Sequence, residues 1–253
     1  MISSSITSGI MQLIFKPQII IPMIILGLAS AVVTELSSFI IERPLSDIIL
    51  NPNLLSDGNI FGNFLMNYPL EILGILLIGS IMLGIGIIAF MSIARMAKGE
   101  GFIDSINSSV MDGAKTLGLI ILFWAIFVIV GSAFILASII GAFESTIGLI
   151  VTVIFLIILF IAFVKLIFVF PALINANIKK AFQESWKFTN IRFWGALAMV
   201  IVAGIIALII GLILTQIGIY IGGIADPIFS LLGDSISATY FIAAITNYFY
   251  GKQ

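Results

Sequence analysis

The chain has 253 residues, of which 61% are hydrophobic and only 9% are charged, and its formal net charge is −1. So few charges cannot cover the surface of a water-soluble protein, and the apolar residues occur in runs near the length that crosses a bilayer. The runs are continuous rather than alternating in polarity, which excludes a transmembrane β-barrel. The sequence therefore predicts an all-α integral membrane protein.

Six apolar spans can be placed along the chain. We expect them to form a single membrane domain covering residues 1–253, with an external loop at 42–69. That loop is rich in Pro, Asn, Asp and Gly, which favour turns. The predicted spans are about 19–41, 70–94, 117–140, 147–170, 193–217 and 227–248.

Three amphipathic segments precede pairs of spans, at about 3–16, 102–115 and 176–190. The chain is therefore predicted to contain three units of one amphipathic interfacial helix and two spans. Either duplication or the repeated demands of a membrane interface would produce this pattern. In each unit a small residue lies seven positions before a cation: Gly9 and Lys16, Ser108 and Lys115, Ser185 and Arg192.

The third amphipathic segment has the clearest two-faced pattern. One face carries Ile178, Ala181, Phe182, Ser185 and Trp186, and cations and other polar residues fill the opposite face. This pattern is typical of a helix lying in the headgroup plane, and a cytosolic linker helix is the alternative. The small Ser185 is expected to allow close approach to a neighbouring span. The predicted lipid-interface residues are Lys179, Lys180, Phe182, Trp186, Lys187, Arg192 and Trp194.

Cations in short loops predict the orientation, because they are retained on the cytoplasmic side. With both termini inside the cell, only Arg43 faces outward. We therefore expect a protein of the cell membrane with both termini cytoplasmic. The cations on the inner side are then Lys16, Arg95, Lys98, Lys115, Lys179, Lys180, Lys187, Arg192 and Lys252.

Polar residues inside spans are costly and mark candidate functional positions. They are Glu35, Lys165, Gln216 and Asp234. Lys165 is near enough to the inner end of its span to reach the headgroups, with a buried pair or a ligand contact as the alternative. Glu35 and Asp234 lie on the outer half, where they either share a polar pocket or face the outer interface.

Small residues recur along the fifth span at Ala203, Ala207 and Gly211, which is the spacing of close helix contacts. Packing within the bundle is the expected use of this stripe. A homodimer face is the less favoured alternative.

Two stretches carry a family resemblance. Phe170-Pro171-Ala172, the run from Ala181 to Lys187, and Phe193-Trp194 resemble the pattern of a superfamily of prokaryotic six-span membrane proteins. That superfamily includes the membrane domain of some glycerophosphodiester phosphodiesterases. The region from Ala94 to Lys115 looks like related archaeal proteins of unknown function. The resemblance implies a fold and no activity, because the catalytic barrel is missing and the histidine chemistry of such enzymes needs a residue that this chain lacks.

No enzyme motif is present in the chain. Cysteine and histidine are absent, so disulfides and His/Cys metal sites are excluded, and nucleotide-binding and hydrolase motifs are missing. Leu231-Leu232-Gly233-Asp234 lacks the first glycine of the intramembrane aspartyl protease motif. We therefore expect no enzyme activity, cofactor, metal or nucleic-acid partner, with a lipid-modifying reaction on unrecognised carboxylates as a minor alternative.

Two function classes remain. The protein either binds or moves a lipid or small amphiphile, or it is an accessory or scaffold subunit with a membrane or cytosolic protein partner. In the first case Glu35, Lys165, Gln216 and Asp234 should converge on one cavity, and in the second they should be dispersed.

The predicted topology can be tested with reporter fusions at single positions. Fusions at Gly99 and Ala176 should report a cytosolic location, and a fusion at Gly58 should report an external one. An external signal at Ala176 would contradict the number of spans placed before the third amphipathic helix.

Overall fold

A computed structural model describes residues 2–50, 67–143 and 145–251, and within these ranges every regular element is helical. A single turn of 3₁₀-helix, Pro17–Ile20, joins the first two helices. The α-helices in chain order are α1 (Ile2–Phe15), α2 (Ile21–Leu50), α3 (Pro69–Lys98), α4 (Phe102–Met111), α5 (Gly113–Phe143), α6 (Ser145–Leu166), α7 (Val169–Leu173), α8 (Ile178–Ile191), α9 (Phe193–Ile221) and α10 (Ala225–Tyr250).

Five stretches of the described chain are helical, long and apolar enough to cross a membrane. A sixth span is counted if α4 and the part of α5 up to Val128, which meet at an angle of 64°, are taken as one broken span. The protein is therefore a multi-pass helical membrane protein, and its described residues contain five to six candidate spans. The single-span stretches are Pro17–Glu42, Pro69–Lys98, Val153–Leu173, Phe193–Ile221 and Ala225–Tyr250.

The first part of the loop predicted at 42–69 is helical, because α2 continues to Leu50, although the candidate span ends at Glu42. Pro44 lies inside this helix. Proline removes one backbone hydrogen bond, but the apolar residues beyond it, up to Leu50, still favour helix. The polar stretch 51–66 of the predicted loop lies outside the described residues.

The fourth span does not end where the sequence predicted. The chain leaves the helix after Leu166 and enters the short helix α7, so that Pro171 lies within a helix instead of stopping one. Proline has no N–H, and its ring clashes with the carbonyl group four residues earlier, which belongs to Ile167. The break at 167–168 therefore precedes the proline.

The backbones of α9 and α10 approach each other closely at two glycines. A Cβ atom placed on Gly233 would lie 3.1 Å from the carbonyl oxygen of Gly211, and one on Gly211 would lie 3.0 Å from Ser237 Oγ. Ala203 is fully buried and Ala207 is 9% exposed. The small residues of the fifth span therefore serve packing within the bundle, as predicted.

Each amphipathic segment forms a short helix that buries small residues against the bundle. In α1 these are Ser5 and Gly9, and in α4 they are Ser105 and Ser109, again four positions apart. The α8 helix buries Ala181, Ser185 and Thr189. The second segment was predicted to reach 115, but α4 ends at Met111. Gly113 follows at the bend.

Replacement of Gly233 with valine should destabilise the protein by about 1–3 kcal/mol, because the added methyl groups meet the α9 backbone. Gly204→Val is the matched control, since a Cβ atom on Gly204 meets nothing within 4 Å. Thermal unfolding in detergent should show a lower midpoint for Gly233→Val than for the control. Equal midpoints would contradict the close contact of these two helices.

Candidate functional site at the cationic end

Polar side chains from several helices meet at one end of the bundle, called here the cationic end. Arg95, in the last turn of α3, contacts Asp112 at 2.7 Å and Glu100 at 3.5 Å. Lys115, in the first turn of α5, contacts the same Asp112 at 3.1 Å and donates to the carbonyl oxygen of Leu173 at 3.2 Å. Because their side chains are 11–33% exposed, these pairs are only partly screened by water.

A second group of contacts ties α3 and α10 to the connection between α7 and α8. Lys98 Nζ donates to Asn175 Oδ1 at 2.7 Å and lies 5.0 Å from the centroid of the Tyr250 ring. The Tyr250 hydroxyl donates to the carbonyl oxygen of Pro171 at 2.7 Å and accepts from Asn175 Nδ2 at 3.3 Å. The proline of the family pattern thus supplies a backbone acceptor for the end of the last helix.

The N-terminal helix joins the same end. Gln12 Nε2 donates to the carbonyl oxygen of Ala97 at 2.8 Å, and Asn247 Nδ2 donates to Gln12 Oε1 at 3.1 Å. All three short helices therefore lie beside the cationic end: α1 through Gln12, α4 through its position next to the Arg95–Asp112 pair, and α8 through Asn175, which precedes it.

Ser185 makes the close approach that the sequence predicted. It is fully buried, and its hydroxyl donates to the carbonyl oxygen of Lys165 in α6. The Lys165 ammonium lies 3.9 Å from the centroid of the Trp186 ring, a cation–π contact. Among the described residues, Lys165 thus pairs with the exposed indole of Trp186 in α8.

Aromatic rings also pack α8 against the bundle, through Phe188. The Phe168 centroid lies 5.2 Å from that of Phe188, which lies 5.0 Å from that of Phe249. Phe182, predicted to reach lipid, is half-buried and packs against this core. The Phe188 ring also lies 5.9 Å from the guanidinium of Arg192.

The other predicted interface residues are exposed. Trp186 is 50% exposed and Trp194 is 78% exposed. Lys179 and Lys187 are also exposed, and Lys180 lies 3.9 Å from Glu184 on the same helix, with 66% of its side chain exposed. The outer face of α8 therefore presents the Trp186 indole beside ammonium groups, and Trp194 is exposed at the start of α9.

Among the described residues, neither of the two best-defined cavities contains more than one of the four polar residues inside the spans. A shallow groove on the surface of α9 contains Gln216 but none of the other three. Glu35 and Asp234 are exposed, and Lys165 is engaged with Trp186. Within residues 2–50, 67–143 and 145–251, no group of three acidic side chains could hold a metal ion.

Residues 133–251 match the family model for the membrane domain of glycerophosphoryl diester phosphodiesterase. The predicted resemblance is confirmed over this part of the chain. The match includes α8 and both helices of the α9–α10 pair, so it covers the close contact between Gly211 and Gly233. No curated protein and no solved structure matches the chain.

Asn175 and Tyr250 are members of the site that sequence analysis did not select. Their contacts join helices far apart in the chain, so no local pattern marks them. A partial signal was present for Arg95, since Glu100 follows it across a glycine and Asp112 precedes Lys115 by three positions.

Substitutions at Ser185 test the contact between α8 and α6. Ser185→Ala removes one hydrogen bond and should cost about 1 kcal/mol, whereas Ser185→Leu must also displace the α6 backbone and should cost about 1–3 kcal/mol more. Asn190→Leu, at an exposed position on the same helix, is the control. Unfolding midpoints in detergent should rank Asn190→Leu above Ser185→Ala and Ser185→Leu lowest. Equal tolerance of alanine and leucine at 185 would show that nothing packs there.

Proposed function

We propose that this is a non-enzymatic protein of the cell membrane that binds lipids of the cytoplasmic leaflet through its short helices, with both termini in the cytoplasm. The observation that carries the proposal is the common design of α1, α4 and α8. Each buries small residues against the bundle and exposes large apolar side chains beside the cationic end.

Each of the three short helices exposes at least one large apolar side chain near its C-terminal end. Phe15 of α1 is 73% exposed, Met111 of α4 is 87% exposed, and Ile191 of α8 is 70% exposed. Such a surface is unfavourable in water and favourable among acyl chains at the headgroup boundary. Helices of this kind bind a membrane through apolar area and through attraction to anionic lipids.

Charge on α8 supports an anionic partner. Lys179, Lys180 and Lys187 are exposed on the face away from the bundle, next to Trp186. Each cation near an anionic leaflet contributes about 1 kcal/mol of binding. Because cations are retained in the cytoplasm, the proposed leaflet is the inner one.

Binding at this surface is favoured over movement of a lipid through the bundle. Transport through an apolar cavity would need polar intramembrane residues to converge, and Glu35, Gln216 and Asp234 are exposed. The same dispersal favours an accessory or scaffold subunit as the second candidate, whose partner would cover the outer face of α8. The two candidates differ in what contacts Trp186.

Fluorescence quenching by brominated lipids tests the proposal. In a Trp124→Phe/Trp194→Phe background, Trp186 should be quenched most by bromines near the headgroups. The control background retains Trp124, which lies inside α5 and donates to Ser80 Oγ, and should be quenched by deeper bromines. Strong quenching of Trp186 by aqueous iodide with none by brominated lipid would contradict lipid binding.

The charge requirement can be measured in the same system. Replacing Lys179, Lys180 and Lys187 with glutamine should weaken retention of anionic lipid at least about tenfold in native mass spectrometry, while replacement with arginine should not. Equal retention by both triple variants would remove the electrostatic part of the proposal.

A further inference from the structure

A cavity of about 350 Å³ opens at the cationic end, between α1 and the last turns of α3 and α10. It is distinct from the exposed face of α8. Its lining includes polar groups from all three helices: Ser4, Ser5, Ser8, Lys98, Asn247 and Tyr250. The described lining contains one cation and no carboxylate.

The ammonium group of Lys98 differs from its neighbours in its partners. Arg95 and Lys115 are neutralised by Asp112 and Glu100, but within the described chain no carboxylate forms an ion pair with Lys98. Its one hydrogen bond goes to the neutral carboxamide of Asn175. An ammonium group has three N–H donors, so two can still reach a ligand in the cavity.

The rest of the lining is suited to an anion as well. Asn247 Nδ2 donates one hydrogen to Gln12 and has a second. The serines at positions 4, 5 and 8 place hydroxyl groups on one side of α1, and the Tyr250 ring forms an apolar wall, since its hydroxyl is directed to Pro171. A strong positive charge among neutral donors favours a ligand that carries several acceptor oxygens and a negative charge.

We propose that this cavity binds the phosphate group of a phosphate ester, with Lys98 as its charge partner. The volume is at the small end of ligand sites, which suits one phosphate-bearing group and not a whole acylated lipid. The group belongs either to the headgroup of an anionic phospholipid or to a soluble phosphate ester. The lipid source rests on the proposed function, because it needs this end at the inner leaflet, whereas the soluble source does not.

Calorimetric titration of the full chain in detergent tests the site with glycerol 3-phosphate and with inorganic phosphate. Titration into nanodiscs of phosphatidylglycerol, compared with phosphatidylcholine, tests the lipid source. Lys98→Gln should weaken binding of the preferred probe about tenfold or more, because it removes a charge-assisted contact. Lys16→Gln is the control, since it removes an equal charge at an exposed position outside the cavity and outside the face of α8.

Ser8→Asp gives a second variant in case Lys98→Gln disturbs the contact with Asn175. Position 8 is exposed, so a carboxylate there should leave the fold intact and repel the phosphate. Binding of a soluble probe that is lost in both cavity variants and kept in Lys16→Gln supports the site with a soluble source. The same pattern seen only with phosphatidylglycerol supports a lipid source. An equal loss in Lys98→Gln and Lys16→Gln, or no binding of any probe, overturns the inference. Quenching of Trp186 by lipid is independent of these outcomes, so the two proposals can fail separately.

Discussion

Helices inside a bilayer gain little by burying apolar side chains against one another, because the lipid tails that they displace are equally apolar. Their contacts depend instead on small residues that let backbones approach, and this constraint organises the protein. Gly211 and Gly233 bring α9 against α10, and Ser185 brings α8 against the end of α6. The three short helices follow the same rule, which leaves their large side chains free to face outward.

The cationic end adds a second kind of attachment. Charged and amide groups there join α3, α5 and α10 to the segment around Pro171, at the depth where the chain turns from a span into α8. Packing of small residues sets the distance between helices. The hydrogen bonds and ion pairs of the cationic end set the positions of the helix ends relative to one another. The exposed face of α8 and the cavity beside Lys98 both depend on that arrangement.

Much of the architecture followed from the sequence, because long apolar runs and two-faced segments are local patterns. The spans near 19–41, 70–94, 193–217 and 227–248 and the three short helices were found at nearly the right positions. Local patterns could not show which face of a short helix meets protein. The two-faced pattern of the third amphipathic segment placed Phe182 and Trp186 on the same face. In the structure Phe182 is half-buried against the bundle, whereas Trp186 is exposed. Asn175 and Tyr250 likewise became site residues only through contacts between distant parts of the chain.

The helix break before Pro171 affects which residues of the site can be substituted. Three hydrogen bonds hold the connection between α6 and α8. Their acceptors are the main-chain carbonyl oxygens of residues 165, 171 and 173, and their donors are the side chains of Ser185, Tyr250 and Lys115. A main-chain carbonyl is present whatever residue carries it. No proline is needed at positions 165 and 173, so the residues there can be substituted without loss of these hydrogen bonds. The three donors are side-chain groups, so a substitution that removes the group also removes its hydrogen bond.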